Sequence, residues 1–482
     1  MIDFRPVGYV IGLLVTGLGI AMLVPMALDL AMGDGNGHAF LEAALFSTLI
    51  GGLTALACRN AGVGTMTMRQ AFLLTFFVWV VLPLFGALPF LIGAPDVGFT
   101  DAYFEAVSGI TTTGSSVFPG LDDLPAGVNL WRGMLNWFGG LGIAFIAMIF
   151  LPHLRLGGMQ FFRAQGFDTL GKTLPRAVDI ARGLLAVYVG LTIACGLSYS
   201  ALGMSVLDSV VNAMATIATG GFSATDASFG KYAGPAEYAG ALFMVLGSLP
   251  YIRFMQLATG SARPMLRDVQ VRAYLLWIAI AVAVVTVYRL FTSDLPVEAV
   301  FRGTLFNLIS VFSGTGFGSD SISNWGPFAV VVAACVGMIG GCSSSSSGAL
   351  SVFRVQVTLA AIRSRIRLLH SPHRIEPVRY DGRTVGEEVL SPIILHVTSY
   401  IFLIGLLSVM LAFEGIDLQS AFFAIWTSIG NIGYGFGDML ARTGTFVDFP
   451  AAAKWVLIAT MIMGRLGLLA FLILILPQFW RA

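Results

Sequence analysis

Four short glycine-bearing phrases, each set between apolar stretches, constrain this chain more than any other feature. They read Thr111-Thr112-Thr113-Gly114, Thr219-Gly220-Gly221-Phe222, Gly314-Thr315-Gly316-Phe317 and Asn431-Ile432-Gly433-Tyr434. The aligned glycines, Gly114, Gly221, Gly316 and Gly433, lie 107, 95 and 117 residues apart. Self-similarity at a near-regular period marks one structural unit used repeatedly. The register has an internal check. Glu105, Asn212 and Asn307 stand nine residues before the first three glycines, and Asp101 and Asp208 thirteen before the first two. The fourth copy breaks the pattern with Ala424 and offers Asp417 as a helix start. Glycine is abundant, at 57 residues, so isolated coincidences are free. The same helix–loop–helix context four times over is not.

The setting of these phrases is a membrane. The chain is 57% hydrophobic and only 11% charged, with mean hydropathy +0.85, against about 25% charged residues in a soluble domain. The net charge of +1 and the lack of charged tails offer nothing to nucleic acid. Cys58, Cys195, Cys335 and Cys342 lie in or beside apolar runs without zinc spacing or a disulfide framework, and read as small buried residues. The first apolar run lacks a convincing small-residue cleavage site and is expected to stay as a helix.

Apolar runs at 7–30 and 39–58, joined by a Gly-rich turn, predict an N-terminal helix pair. Each repeat then predicts a span, a short helix that enters the membrane and returns, a glycine loop and a second span. The spans fall at 71–92 and 129–152, 182–203 and 236–258, 273–291 and 327–369, and 390–412 and 452–476. The short helices fall at 101–112, 206–218, 297–312 and 418–430. The expected division is 1–70 for the pair, then repeats at 71–155, 156–260, 261–370 and 371–482. Re-entrant backbone is tolerated only where protein or a watery cavity surrounds it.

Charge placement agrees. The linkers between repeats carry Arg155, Arg163, Lys172, Arg176 and Arg182, then Arg263, Arg267 and Arg272, then Arg363 through Arg383. By the positive-inside rule these and both termini are cytoplasmic. Acidic residues such as Asp96, Asp101, Asp122, Asp226 and Asp448 flank the short helices on the outer side. Arg132, Lys231, Arg302, Arg442 and Lys454 are exceptions to that pattern.

Taken singly, each phrase is an ordinary tight turn. Together, four glycine loops around one axis supply what a cation needs in place of water, namely backbone carbonyls. Glycine permits the angles that aim them. The expected ion ligands come from Thr112, Thr113, Gly114, Gly220, Gly221, Thr315, Gly316, Ile432 and Gly433. The preceding helices point their partly negative C-termini inward, and no Lys or Arg occurs in any phrase. Glu105, Asn212 and Asn307 are expected to hold the loops by hydrogen bonds. Arg253 is expected to snorkel, and His153 and His396 to sit in the core or at an interface. No nucleophile–base constellation appears, so an enzyme is not indicated.

These residues carry a resemblance. Phe99 to Gly114, Gly157 to Ala164, Ala218 to Ser228 and Gly464-Arg465-Leu466 with the terminal Phe479-Trp480-Arg481 resemble the TrkH family of transmembrane subunits of bacterial Trk potassium uptake systems, in the Trk/Ktr/HKT superfamily. The likeness runs over nearly the whole chain. It implies an all-α polytopic protein with four parallel pore repeats around a pseudo-fourfold axis and two extra N-terminal helices. It further implies a potassium-conducting homodimer in the bacterial inner membrane, with a TrkA-like cytosolic ring as partner. This chain has no Gly-rich nucleotide fingerprint, so control by NAD(H) or by ATP and ADP would lie on that ring.

Two features predict a gate below the loops. Arg465 lies near the middle of the last span, and an intramembrane arginine is expensive enough to signal function. Gly340-Gly341-Cys342-Ser343-Ser344-Ser345-Ser346-Ser347-Gly348 interrupts a run too long for one crossing. Such a stretch unwinds, its backbone satisfied by hydroxyls or water, or else serves as a small-residue packing seam. The resemblance favours a gating loop. It also shows a departure, since the family usually has more glycine here and a lysine where Ser351 stands. Two alternatives remain open: a pore that passes sodium as well, or requires it, and an alternating-access transporter, which would show inverted repeats.

Overall fold

The computed structural model describes residues 3–60, 66–150, 177–371, 373 and 376–481. The stretch Gly157 to Ala164, His153, Arg374 and most of the first basic linker lie outside the described residues.

An N-terminal unit is built from α1 (Arg5–Ala21), α2 (Leu23–Met32) and α3 (Gly37–Cys58). Glycines let α1 and α3 touch closely, since a Cβ on Gly12 or Gly51 would meet the other helix's backbone within 3.0 Å. The unit docks on the first repeat through the turn. Asp29 and Asp34 accept hydrogen bonds from the backbone of Gly127 and Ala126. These carboxylates serve the unpaired N–H groups that open the next long helix.

The first repeat comprises α4 (Met68–Gly86), α5 (Leu88–Ile92), the half-helix α6 (Phe99–Ile110) and α7 (Ala126–Phe150). The second comprises α8 (Ala177–Ala201), the half-helix α9 (Val206–Ala218), α10 (Pro235–Gly247) and α11 (Tyr251–Ala258). A short α12 (Arg263–Arg267) precedes the third, with α13 (Val269–Thr292), the half-helix α14 (Val297–Ser313), α15 (Pro327–Ile339) and α16 (Val352–His370). A hairpin, β1 (Arg379–Tyr380) with β2 (Arg383–Thr384), leads to the fourth. That repeat has α17 (Glu387–Phe413), the half-helix α18 (Leu418–Gly430), a short α19 (Asp438–Thr443), α20 (Ala451–Leu466) and α21 (Leu468–Ile475). A last turn, α22 (Pro477–Arg481), follows.

Six of the described helices are long and apolar enough to cross a bilayer, or eight if each bent pair is one span. Three expected spans are corrected. The run 327–369 divides into the 13-residue α15 and the arginine-bearing α16, which is not among the apolar helices. The run 236–258 is bent by 94° between α10 and α11, where Ser248 to Pro250 break it. The run 452–476 is bent by 113° at Gly467, whose φ of 92° is left-handed. Composition does not register either bend, because the two arms taken together are apolar enough to pass as one span. Cys335 is also corrected, being exposed on α15 rather than buried.

The repeats close on one another. Besides contacting its own repeat, α7 packs on α9, α10 on α14, α15 on α18, and α20 back on α6. Each outgoing helix therefore supports the next repeat's half-helix, and the fourth supports the first. Ion pairs explain most of the basic residues that violated the charge pattern, two of them across these seams. Lys454 on α20 reaches Asp101 on α6 at 2.7 Å, and Arg302 on α14 pairs with Glu237 on α10. Arg442 and Lys231 are more exposed and pair within their own repeats, with Asp448 at 2.6 Å and Asp208 at 3.4 Å. A buried charge that is paired escapes most of the penalty of desolvation.

Candidate ion-selective ring and gate

All four half-helices end in the same way. In the first, the Thr113 N–H bonds Ser108 O and the Thr112 N–H bonds Gly109 O, both at 2.9 Å. The matching pairs are Gly220 to Ala215 and Thr219 to Thr216, Thr315 to Ser310 and Gly314 to Val311, and Ile432 to Thr427 and Asn431 to Ser428. This double closure is a Schellman motif, which needs a left-handed residue just past the helix. That residue is glycine only at Gly314. Thr112, Thr219 and Asn431 adopt φ of 51°, 51° and 50°. A left-handed β-branched residue costs about 1–2 kcal/mol. Strain of this kind persists where surrounding contacts over-determine the backbone.

Two residues later the backbone is left-handed again, at Gly114, Gly221, Gly316 and Gly433, with φ between 71° and 82°. The residue between has negative φ in each loop. Neighbouring carbonyls in an extended chain point opposite ways. Alternating the sign of φ turns them toward the same side, which a carbonyl-lined ion path requires.

The four loops touch in a closed ring. A Cβ on Gly114 would collide with the carbonyl oxygen of Gly220, one on Gly221 with that of Thr315, one on Gly316 with that of Ile432, and one on Gly433 with that of Thr113. Each aligned glycine therefore abuts the carbonyl that precedes the aligned glycine of the next repeat. Side chains brace the ring. Thr113 Oγ1 lies 2.8 Å from Thr111 Oγ1 and accepts a bond from Asn431 Nδ2 at 2.9 Å, so the first and fourth repeats are joined. Asn431 also donates to Met461 O at 3.0 Å.

Two of the three expected supports reach the loops. Glu105 is fully buried and accepts from Ser116 Oγ and the Val117 N–H, both at 2.9 Å, in the segment that follows Gly114. Asn307 does the equivalent in the third repeat. Its amide donates to Ser319 Oγ at 2.9 Å and its oxygen accepts from the Ser319 N–H at 3.1 Å. Asn212 differs: its amide faces Met204 Sδ at 3.8 Å, on its own repeat's entry turn, and not the loop.

Sequence reasoning missed Arg132. It lies 2.8 Å from Glu105, donates to Ser223 O at 2.7 Å and to Ser116 Oγ at 3.2 Å, and stacks on Phe222 at 4.3 Å. One buried guanidinium thus ties the backbone beyond Gly114 to that beyond Gly221. The signal was present, as a basic residue on the acidic side. Arg253 is also corrected, since it pairs with Asp268 at 2.8 Å instead of snorkelling. His396 is buried, as expected.

Beneath the ring, residues 340–351 are unwound between α15 and α16. Ser344, Ala349 and Ser351 have positive φ. The segment is tied on three sides. Toward the second repeat, the Cys342 N–H donates to Ser248 O at 3.0 Å, the Tyr251 N–H to Ser344 O at 3.1 Å, and Tyr251 Oη lies 2.7 Å from Ser346 Oγ. Toward the third, Ser347 Oγ donates to Ser313 O at the end of α14, and the Ser343 N–H donates to Gln270 Oε1 at 3.0 Å. Toward the fourth, the Ala349 N–H donates to Gly430 O at 3.0 Å, and a Cβ on Gly348 would strike that same carbonyl. Within it, the Gly341 N–H donates to Ser347 Oγ at 2.8 Å and Ser345 Oγ to Cys342 O at 2.6 Å. Serine hydroxyls thus meet the Gly341 and Ser347 N–H groups and Cys342 O, as the serine content led one to expect, while backbone groups of the neighbouring helices meet most of the rest.

Arg465 closes this layer. It stands two residues before the bend at Gly467, not midway along a straight span, and its Nη1 donates to Ser346 O at 3.0 Å. The arrangement sets a buried positive charge against the loop. No group of His, Cys, Asp and Glu that would hold a metal by side chains occurs among the described residues.

The chain is similar to known proteins over most of its length. The family model TrkH, described as a cation transport protein, matches residues 36–481. The chain is 37% identical to the Trk system potassium uptake protein TrkI of Halomonas elongata, over 86% of this chain and 84% of the relative. It is 33% identical to the Trk system potassium uptake protein TrkH of Escherichia coli, over 99% of each. The crystal structure of the potassium transporter TrkH from Vibrio parahaemolyticus superposes with a TM-score of 0.91 at 30% identity, over the whole of both chains.

Proposed function

Because the chain belongs to the TrkH family of cation transport proteins, we propose that it forms a potassium uptake pore in the bacterial inner membrane, with both termini cytoplasmic. Its repeats divide at about 71, 156, 261 and 371. Potassium is the cargo and passes the carbonyls of Thr113, Gly220, Thr315 and Ile432 one ring at a time. The single observation that carries this reading is the closed cycle of left-handed glycines against their neighbours' carbonyls. A full ring of fixed dipoles replaces the ion's water, and the C-termini of α6, α9, α14 and α18 add partial negative charge below it. Neither an enzyme nor a carrier with one midplane substrate site needs that cycle.

The segment 341–348 and Arg465 form the gate. The loop blocks the path under the ring, and the guanidinium repels cations while holding Ser346 in place. Opening requires the ties to Ser248, Tyr251, Ser313 and Gly430 to release together. A TrkA-like ring on the cytosolic side is the expected source of that force, and nucleotide enters through it rather than through this chain. The pore acts as a homodimer with one pathway per subunit. Transport through an open pore is passive, driven by about 2.3 kcal/mol per charge per 100 mV.

The test is ion uptake into proteoliposomes under an imposed potential, with and without the nucleotide-binding ring. Saturable, potential-driven potassium uptake that exceeds sodium uptake supports the reading. Uptake at a fixed stoichiometry to a second solute, indifferent to potential, would replace the pore with a coupled transporter. Equal permeation of sodium would favour the less selective alternative.

A further inference from the structure

The helix that leaves the gating loop ends in a basic pocket. By composition α16 is not a membrane span, since it carries Arg354, Arg363, Arg365 and Arg367. At the 100° advance of an α-helix, Leu359, Ile362, Ile366 and Leu369 fall on one narrow arc, and all four are exposed, Leu369 to 83%. Arg363 and Arg367 lie on the flank beside that arc. The chain then folds back so that Glu376 and Arg379 face this flank and line a half-open pocket of about 470 Å³. Its wall is fixed by Ser364 Oγ, which donates to Glu376 O at 2.8 Å, and by the Arg367–Glu376 pair at 2.6 Å. Among the described residues, neither Arg363 nor Arg379 has a carboxylate partner. Three guanidiniums and one carboxylate line a space the size of a small ligand, bordered by an apolar stripe.

We propose that this pocket binds the phosphate headgroup of an anionic phospholipid, with the acyl chains laid along Leu359, Ile362, Ile366 and Leu369. Guanidinium forks match phosphate oxygens in bidentate geometry. A helix with basic and apolar faces side by side lies at the membrane interface, and basic pockets there take lipid headgroups. Inorganic phosphate shares the headgroup's chemistry but leaves the stripe uncovered. The site bears on the gate because α16 and the loop are one mechanical unit: the Val352 N–H donates to Gly341 O at 3.0 Å and the Ser351 N–H to Ile339 O at 2.8 Å. That consequence rests on the pore reading, whereas the binding claim does not.

The experiment measures binding to the purified full chain in detergent, by native mass spectrometry, with phosphatidylglycerol, phosphatidylcholine and inorganic phosphate. Phosphatidylglycerol is expected to bind about tenfold or more tighter than phosphatidylcholine. The double variant Arg363→Gln/Arg379→Gln should lose that preference with its lipid-free melting temperature unchanged. Ile366→Ser/Leu369→Ser should weaken the lipid and not phosphate. Equal binding of the two lipids, or a preference that survives the arginine variant, overturns the site. Phosphate binding at these arginines without a lipid preference overturns the lipid assignment. Because the readout is binding and not flux, a failed pore reading would leave these outcomes unchanged.

Discussion

Replacing Arg132 by Met should uncouple the first two loops of the ring. The side chain is 1% exposed and its partner Glu105 is fully buried. The variant removes the 2.8 Å ion pair, the bond to Ser223 O and the stacking on Phe222. Glu105 would keep only Ser116 and the Val117 N–H as donors. Breaking one side of a buried pair costs about 3–5 kcal/mol, whereas exchanging both partners for neutral groups is often neutral or stabilising. Arg132→Met alone should therefore melt well below wild type in detergent. Adding Glu105→Gln should restore most of the loss, with about 2 kcal/mol or more of coupling in the double-mutant cycle. Potassium preference over sodium should fall in the single variant and recover only in part in the double, because Ser223 O stays unpaired. Additive effects, with no recovery, would refute the view that Arg132 acts through Glu105.

Three further outcomes follow from the same geometry. Gly316→Ser places a Cβ against the Ile432 carbonyl at a φ of 82°; sodium uptake should rise toward potassium uptake in proteoliposomes while the protein elutes unchanged on a sizing column. Arg465→Gln loses the charge-assisted bond to Ser346 O, worth about 1.5–3 kcal/mol, so potassium leak without the cytosolic ring should rise roughly tenfold or more. Tyr251→Phe removes one tie to Ser346 and one to Ile217 O, about 1 kcal/mol each, and should raise the same leak by a smaller factor.

Much of this architecture is legible in the chain because it is repeated. The half-helix bounds at 206–218 and 418–430 coincide with α9 and α18, and the unwound serine stretch starts at Gly340 as its composition demands. What is not legible depends on neighbours. The bends near Ser248 and at Gly467 each join two arms that together read as one apolar run, which conceals them. Asn212 shares a register with Glu105 and Asn307 yet bonds elsewhere, since its neighbours differ. Thr112, Thr219 and Asn431 hold a backbone shape that glycine would signal, and only the packed ring reveals it. Arg132 and Lys454 look misplaced until partners 27 and 353 residues away come into contact.

The central claim is that the four pre-glycine carbonyls bind the transported ion. The most direct measurement is an electron-density map of the protein in rubidium or thallium salt, with anomalous difference peaks. A peak is expected on the axis of the ring formed by Thr113, Gly220, Thr315 and Ile432, lost in Gly316→Ser. A strong peak elsewhere in the protein with none on that axis would contradict it.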